Sequence, residues 1–174
     1  MENKQKYKFE WDKTVGADLG KARPNLGPNT RIEVYRLFQF TLMDVLEQHY
    51  GAEMTDTLFF ETGVMAGKAF YDKLLSEIKD VSSFISKIQE LFNTLGMGIF
   101  RVEHAAEDNS HFIFTVDEDL YCSGLPDDND VICVYDEGFI KGVLEAFSGK
   151  IFNVREIDCW RTNARTCRFE AKAV

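Results

Sequence analysis

Apolar side chains recur every three or four residues over three long stretches in the first part of the chain, which is the spacing of amphipathic helices. The first stretch covers residues 30–51, with Thr30 as its N-cap. The second covers residues 56–78, and the third covers residues 81–96 and is ended by Gly96. The pattern therefore predicts three consecutive helices.

The periodicity changes after residue 97, where apolar and polar residues begin to alternate. Residues 97–121 predict a β-hairpin around a turn-forming stretch. A further helix is predicted over residues 131–149 with Asp130 as its N-cap, and two strands are predicted over 150–160 and 164–174. Helices segregated from strands predict an α+β fold, in which the N-terminal helices pack on one face of a C-terminal antiparallel sheet.

The N-terminal segment, residues 1–29, is polar and rich in turn-forming residues, and we interpret it as an irregular arm with a short strand at residues 6–11. The remaining residues, 30–174, are expected to form a single domain. The chain has 174 residues, of which 45% are apolar, so it is long enough to bury one substantial core but short for two independent domains.

Two of the predicted helices carry pairs of glycines four residues apart, which is unfavourable in a helix interior. Gly63 and Gly67 lie in the second helix, and Gly138 and Gly142 lie in the helix that follows the hairpin. Each glycine costs roughly 1 kcal/mol relative to alanine, so these pairs indicate that something packs very close to the backbone. The pattern leaves open whether a helix or a ligand makes this contact.

The charge of the chain excludes some classes of partner. Its net charge is −9 and it has no cluster of basic residues, which argues against binding to nucleic acids. No window approaches the roughly 18 to 20 apolar residues that a membrane span requires, and the N-terminus has no apolar run of signal-peptide length. We therefore expect a cytoplasmic protein, whose cysteines are buried, metal-bound or redox-active rather than paired in disulfides.

Four candidate metal ligands fall within 35 residues near the C-terminus: Cys133, Glu156, Cys159 and Cys167. Cys133 is predicted in the first turn of a helix, where the helix dipole favours a thiolate. Glu156 and Cys159 can reach one ion only if their strand ends or bulges near Ile157. Zinc accepts four such ligands in a closed, structural site. The spacing matches no standard zinc finger, so ordinary buried cysteines are the alternative.

The fourth cysteine, Cys122, lies in a loop that contains glycine and proline. We expect it to be more accessible than the other three cysteines. It is interpreted either as a redox-active or secondary metal-binding thiol, or as an inert loop cysteine.

No catalytic residues are identified in the sequence. The three histidines lack the paired spacing of metalloproteases and no serine lies in a nucleophile-elbow motif, so a hydrolase is not supported. The fifteen phenylalanines indicate either an aromatic core or an apolar ligand pocket between the helices and the sheet. Six aromatic residues on faces predicted to point inwards are candidate pocket residues. They are Phe60, Phe70, Phe112, Phe114, Tyr135 and Phe139.

The C-terminal part of the chain resembles the 4-vinyl reductase domain, a family also labelled hydrocarbon-binding. Residues 133–169 carry the resemblance: a cysteine followed by an aromatic residue, a glycine-containing helix ending in Gly-Lys, then the motifs Arg-Glu-x-x-Cys and Cys-x-Phe. With the preceding helices, the resemblance covers roughly residues 15–172. The family shares its fold with heme nitric-oxide sensors and TRAPP vesicle-tethering subunits, so the resemblance implies an α+β ligand-binding domain with an apolar pocket.

Phenol-sensing transcriptional activators contain this domain, and in them zinc is held by three cysteines and a glutamate. The resemblance carries these ligands over to Cys133, Glu156, Cys159 and Cys167. The phenol-contacting histidine and tryptophan of those sensors do not carry over. The resemblance thus implies a stand-alone sensor domain, stabilised by zinc, that binds an apolar or aromatic small molecule such as a hydrocarbon. No enzymatic activity is expected of it.

Two alternative functions stay open. The family name suggests a vinyl reductase, or an accessory protein, of bacteriochlorophyll or other tetrapyrrole metabolism, although the sequence offers no dinucleotide fingerprint, flavin motif or clear set of iron–sulfur ligands. Alternatively, Cys122 and one of the zinc cysteines form a reversible disulfide, which would make the protein a thiol redox switch. In each case we expect a homodimer, because sensor domains commonly signal through contacts between chains and the glycine-containing helix faces permit close packing.

Overall fold

The computed structural model describes residues 6–16 and 18–174. The chain divides into two compact units, residues 1–38 and residues 39–174. The second unit contains the sheet and all four cysteines. All the candidate metal ligands and candidate pocket residues therefore lie in the second unit.

The described part of the first unit contains two short helices, α1 (Trp11–Thr14) and α2 (Leu19–Ala22), and the strand predicted at residues 6–11 is not formed. That prediction is wrong because the backbone carbonyl of Glu10 accepts a hydrogen bond from the N–H of Thr14 at 3.1 Å, which closes a helical turn. A strand without a neighbour would leave such backbone groups unpaired.

Three longer helices follow: α3 (Ile32–Tyr50), α4 (Ala52–Leu74) and α5 (Val81–Leu95). All three were predicted from the apolar periodicity. Helix α4 begins about one turn earlier than predicted, because Gly51 has a φ of 81° and redirects the chain from α3 directly into α4. Gly96, with a φ of 66°, ends α5 as expected. In the part of the chain that the structure describes, no helix combines the length and the apolar character needed to cross a membrane.

The strands of the described residues form one antiparallel sheet of four. The strands are β1 (Ile99–Ala105), β2 (His111–Asp117), β3 (Phe152–Asp158) and β4 (Cys167–Ala173). Their order is β1-β2-β4-β3, and β1 and β2 form the predicted hairpin. The register of β3 against β4 shifts between Glu156 and Asp158, which places a bulge at Ile157. The irregularity that the sequence required near Ile157 is therefore present.

Helix α6 (Val134–Ser148) lies between β2 and β3 in the sequence. Its N-cap is Cys133, so the prediction of Asp130 as the cap is wrong. The N–H of Cys133 donates to the Oε2 of Glu156 on β3 at 3.2 Å, and the carbonyl oxygen of Cys133 accepts a helical hydrogen bond from the N–H of Glu137 at 3.0 Å. Helix α6 packs on β3 and α5 packs on β1. The predicted α+β arrangement of helices against an antiparallel sheet is thus confirmed.

The paired glycines of α4 and α6 face one another where these two helices cross. A Cβ atom on Gly138 would lie 2.1 Å from the carbonyl oxygen of Phe60, and a Cβ atom on Gly63 would lie 2.1 Å from the carbonyl oxygen of Tyr135. The other glycine of each pair is similarly tight against the opposite backbone. A helix, not a ligand, therefore explains the glycines. Because these faces are used within the chain, they no longer support the expectation of a homodimer.

Candidate metal centre and apolar cavity

Four cysteine side chains converge at the N-terminus of α6. Cys133 is the N-cap of α6, Cys159 follows β3, Cys167 is the first residue of β4, and Cys122 lies in the loop after β2. The four sulfur atoms all lie within 4.8 Å of one another, and each residue is at most 1% exposed. All four are free thiols. Segments that are distant in the sequence thus form one compact cluster of sulfur donors.

Three sulfur–sulfur distances in the cluster are close to those around a single tetrahedral metal ion, and a fourth is shorter. Zinc–sulfur bonds of about 2.3 Å in a tetrahedron separate the sulfurs by about 3.8 Å. Cys133 Sγ lies 3.7 Å from Cys167 Sγ and 3.9 Å from Cys159 Sγ. Cys122 Sγ lies 4.0 Å from Cys159 Sγ and 3.1 Å from Cys167 Sγ. The donor set is therefore suited to zinc, the metal that the family resemblance implies.

Cys122 is fully buried, so the expectation that it is more accessible than the other cysteines is wrong. The Oδ1 of Asp119 accepts hydrogen bonds from the N–H groups of Tyr121, at 2.8 Å, and Cys122, at 2.9 Å. These bonds fold the loop into a tight aspartate-centred turn. The only sequence signal for this turn is the aspartate three residues before the cysteine, and nearby glycine and proline indicate a loop without saying which way its side chains point.

Glu156 lies beside the sulfur cluster and is 8% exposed. Its Oε2 accepts the hydrogen bond from the N–H of Cys133, while its Oε1 is buried without a hydrogen-bond partner among the described residues. It is not a member of the group of four mutually close donor atoms. The structure thus brings together Cys133, Cys159 and Cys167, places Glu156 next to them, and adds Cys122.

Burial alters the titration of the acidic groups around the sulfurs. It raises the pKa of Asp119 to about 6 and, together with the nearby Cys159, the pKa of Glu156 to about 8. The pKa of Asp136 is raised well above its ordinary value, first by burial and then by the charges of Asp119 and Glu156. The pKa of the Cys133 thiol is also raised, because the other three thiols contact it. A divalent cation would offset the negative charge that these groups can carry.

A small apolar cavity lies between α5, α6 and the β1–β2 hairpin. Its free volume is about 10 Å³, on the order of one water-sized sphere. Every lining side chain is aliphatic or aromatic. Its lining includes Ile85, Ile88, Phe92, Phe100, Phe114 and Phe139. Among the described residues, the lining offers no side chain that could hydrogen-bond to a guest molecule.

Two of the six predicted pocket residues, Phe114 and Phe139, line this cavity. Two others, Phe70 and Phe112, pack against those two rings. Phe70 packs edge-to-face against Phe139, with ring centres 5.2 Å apart, and Phe112 stacks on Phe114 at 5.4 Å. The aromatic enrichment of the sequence therefore contributes both to the lining and to the layer that holds it.

The last two predicted pocket residues, Phe60 and Tyr135, are not part of the cavity lining. They lie at the crossing of α4 and α6, where their carbonyl oxygens face glycines of the opposite helix. The lining residues of α5 were missed as pocket residues because the sequence shows only that this helix has one apolar face. An apolar face predicts that the helix packs against other elements, but it does not show whether free space remains between them.

The comparisons with known proteins agree with this architecture. The family model of the 4-vinyl reductase domain matches residues 112–173. An uncharacterized protein of Methanocaldococcus jannaschii is 24% identical over 157 residues, which cover 86% of this chain and 81% of that protein.

Solved structures share the fold. A vinyl-4-reductase family protein from Methanocaldococcus jannaschii has a TM-score of 0.63 at 16% identity, and the match covers 98% of this chain and 99% of that chain. The phenol-responsive sensory domain of the transcription activator PoxR, with phenol, has a TM-score of 0.60 at 18% identity, covering 76% of this chain and 71% of that chain. At these identities the likeness establishes the fold.

The fold extends to two further groups. A trafficking protein particle complex subunit 3 from Naegleria fowleri, covalently bound to palmitic acid, has a TM-score of 0.63 at 13% identity, covering 82% of this chain and 95% of that chain. An H-NOX protein from S. oneidensis has a TM-score of 0.56 at 13% identity, and the match covers 90% of this chain and 86% of that chain. The α+β fold of the nitric-oxide sensors and vesicle-tethering subunits is thus confirmed. The resemblance to the 4-vinyl reductase domain family is confirmed as well, over residues 112–173, the part of the chain that contains the whole sulfur cluster.

Proposed function

We propose that this chain is a small-molecule-binding sensor domain, with an apolar or aromatic ligand and a fold stabilised by a structural zinc ion. The observation that carries the proposal is the apolar cavity between α5, α6 and the β1–β2 hairpin. The match to the 4-vinyl reductase domain supports it. Two structural neighbours add support, since one is a phenol-responsive sensory domain with phenol and the other is bound to palmitic acid.

The cavity favours a ligand without hydrogen-bonding groups. Burying an unpaired polar group there costs roughly 1 to 3 kcal/mol, whereas each Å² of buried apolar surface contributes about 25 cal/mol. A free volume of about 10 Å³ is far too small for an aromatic ring, so binding requires α5 to move away from the hairpin. Phe92 of α5 contacts Phe100 of the hairpin, with ring centres 4.9 Å apart, so a movement of α5 would separate these two rings. Ligand occupancy is thereby coupled to the position of α5, as a sensor requires.

Zinc bound by Cys133, Cys159 and Cys167 connects the N-terminus of α6 to the end of β3 and the start of β4. Further along the same helix, Phe139 and Val143 line the cavity. A zinc site filled by protein ligands is closed, so the metal supplies a cross-link and no catalysis. Zinc held by these residues would fix the N-terminus of α6 against the end of β3 and the start of β4, and so would hold one wall of the cavity in place.

The homodimer that we propose forms through α3. In the second unit this helix carries a short apolar stripe on successive turns: Leu42 is 39% exposed and Val45 48%. A contiguous exposed apolar stripe is typical of an interaction surface. A second copy of the chain offers the same stripe in return, which is the arrangement of a two-fold symmetric interface. The subunit number of the native protein tests this proposal.

The two alternative functions gain little from the structure. Cys122 and Cys167 have sulfurs only 3.1 Å apart, but both residues are 0% exposed, whereas redox-sensing thiols are accessible to their oxidant. A reductase depends on the family name, and no observation on the described residues adds to it.

Toluene is expected to raise the melting temperature of the protein by about 5 to 10 °C at one hundred times its dissociation constant, because this occupancy contributes about 2.7 kcal/mol. At the same concentration, phenol is expected to give a smaller shift of the melting temperature, since its hydroxyl finds no partner in the described cavity lining and its affinity is therefore lower. Differential scanning fluorimetry across a concentration series of both compounds measures the two shifts.

Ile85→Phe provides the matching variant. Ile85 lines the cavity and is only partly buried, so a larger side chain there would occupy the space that has to open for the ligand. We expect it to remove most of the toluene shift. The control is Leu95→Phe, which adds a ring to an exposed position of the same helix and should leave the shift intact. Equal shifts in wild type and Ile85→Phe would place the ligand outside this cavity.

A further inference from the structure

We propose that the fourth zinc ligand of this chain is Cys122 and not Glu156, so that the site is made of four thiolates. The inference rests on the proposed zinc site and concerns its composition. The family resemblance assigns the position to Glu156, and the geometry of this chain points to a different donor. Three ligands, Cys133, Cys159 and Cys167, are common to both assignments.

The sulfur of Cys122 lies close to the sulfurs of the other three cysteines. It lies 3.1 Å from Cys167 Sγ and 4.0 Å from Cys159 Sγ, and within 4.8 Å of Cys133 Sγ. A tetrahedral zinc site needs four donors separated by about 3.8 Å, and small shifts of the side chains reach this value from the observed distances. The sulfur of Cys122 therefore lies close to the fourth corner of a tetrahedron whose other corners are the three shared sulfurs.

Backbone hydrogen bonds hold Cys122 in this place. The Oδ1 of Asp119, a residue that is 4% exposed, accepts hydrogen bonds from the N–H groups of Tyr121 and Cys122. The loop is also tied to the segment after Cys159, because the indole Nε1–H of Trp160 donates to the carbonyl oxygen of Leu125 at 3.1 Å. Cys122 is thus presented to the cluster by a preformed turn, which is the condition for a metal ligand in a structural site.

Glu156 has another role in this chain. Its Oε2 accepts the N–H of Cys133, so the carboxylate orients the backbone of a ligand. Its Oε1, unpaired among the described residues, is the competing oxygen donor, but a four-coordinate ion has a single place left beside the three shared cysteines. The sulfur of Cys122 lies within the set of mutually close donors, and the carboxylate of Glu156 does not.

The assignment changes which metals the site prefers. Thiolates are soft ligands that favour zinc and copper(I), whereas a carboxylate shifts the preference towards harder ions. With Glu156 outside the first coordination sphere, the chain keeps a hydrogen-bonding carboxylate next to an all-sulfur site. Glu156 is then a positioning residue.

X-ray absorption spectroscopy at the zinc edge of the wild-type protein tests the assignment without any substitution. The expected spectrum has four sulfur neighbours at about 2.3 Å. Three sulfurs with one oxygen neighbour at about 2.0 to 2.2 Å overturns the assignment and returns Glu156 to the site. A wild-type protein that binds neither zinc nor cobalt overturns the zinc proposal itself, which is a separate outcome.

Cobalt-substituted variants give an independent answer through the thiolate-to-cobalt charge-transfer absorption. Cys122→Ser is expected to lower this absorption by about a quarter, since one thiolate of four is lost. Glu156→Gln is expected to leave it unchanged, because the amide oxygen can still accept the N–H of Cys133. If Glu156→Gln alters the spectrum and Cys122→Ser does not, the assignment is overturned. If Cys122→Ser does not fold, the Glu156→Gln variant and the wild-type zinc spectrum still distinguish Cys122 from Glu156 as the fourth ligand.

Discussion

Cys159→Ser is expected to abolish zinc binding and to lower the free energy of unfolding by about 4 kcal/mol or more. Cys159 is 0% exposed, and its sulfur lies 3.9 Å from that of Cys133, so the substitution removes a donor from the centre of the cluster. The free energy of zinc binding contributes to folding because the unfolded chain has no preformed site. Zinc analysis and urea unfolding measure the two effects.

Ala171→Ser is the matched control for this substitution. Ala171 is also 0% exposed and lies on β4, but it offers no metal ligand. Its serine variant buries one hydroxyl, which is expected to cost about 1 to 3 kcal/mol while one zinc per chain is retained. Wild-type protein stripped with a chelator should be as unstable as Cys159→Ser. If the stripped protein keeps its full free energy of unfolding, the structural role of zinc is contradicted.

Gly138→Ala is expected to lower the free energy of unfolding by about 3 kcal/mol or more, although it adds a single methyl group to a helix. The new Cβ would lie 2.1 Å from the carbonyl oxygen of Phe60 and 3.0 Å from its carbonyl carbon. These are backbone atoms of α4, so no side-chain rotation relieves the clash. The helices must separate, and the packing along both of them is weakened. Urea unfolding followed by circular dichroism measures the loss.

Gly96→Ala is the comparison for that experiment. Gly96 has a φ of 66°, but none of the described residues lies within 4 Å of the position that its Cβ would take. Only the backbone conformation is then unfavourable, which costs about 1 to 2 kcal/mol. If Gly138→Ala lowers the free energy of unfolding by no more than Gly96→Ala does, then α4 and α6 are not in close backbone contact.

The helices and the hairpin were predictable because their signals are local. In α5, the apolar positions Phe84 and Ile88 and the terminal Gly96 all indicate the same helix, and the structure adds a cap at Asp80. The glycine pairs likewise indicated a very close neighbour. Which element that neighbour is depends on contacts between α4 and α6, which are distant in the sequence, and the local pattern carries no information about them.

The cysteine cluster was less predictable, for a related reason. The sequence indicated three of the clustered cysteines and the bulge at Ile157 that brings Cys159 to them. It misjudged Cys122, because an aspartate three residues earlier can indicate a turn but does not say that the turn buries the cysteine side chain. Asp130 is a good N-cap by residue type, but the helix begins later, where Glu156 on a distant strand takes the N–H of Cys133.

Native mass spectrometry of wild-type protein, purified without chelator and incubated with naphthalene, tests the central claim most directly, because one spectrum reports metal, ligand and subunit number. The account predicts a particle of two chains with one zinc and one bound naphthalene per chain, with both lost when the protein is denatured. A folded chain that carries no zinc and takes up no naphthalene would contradict the account.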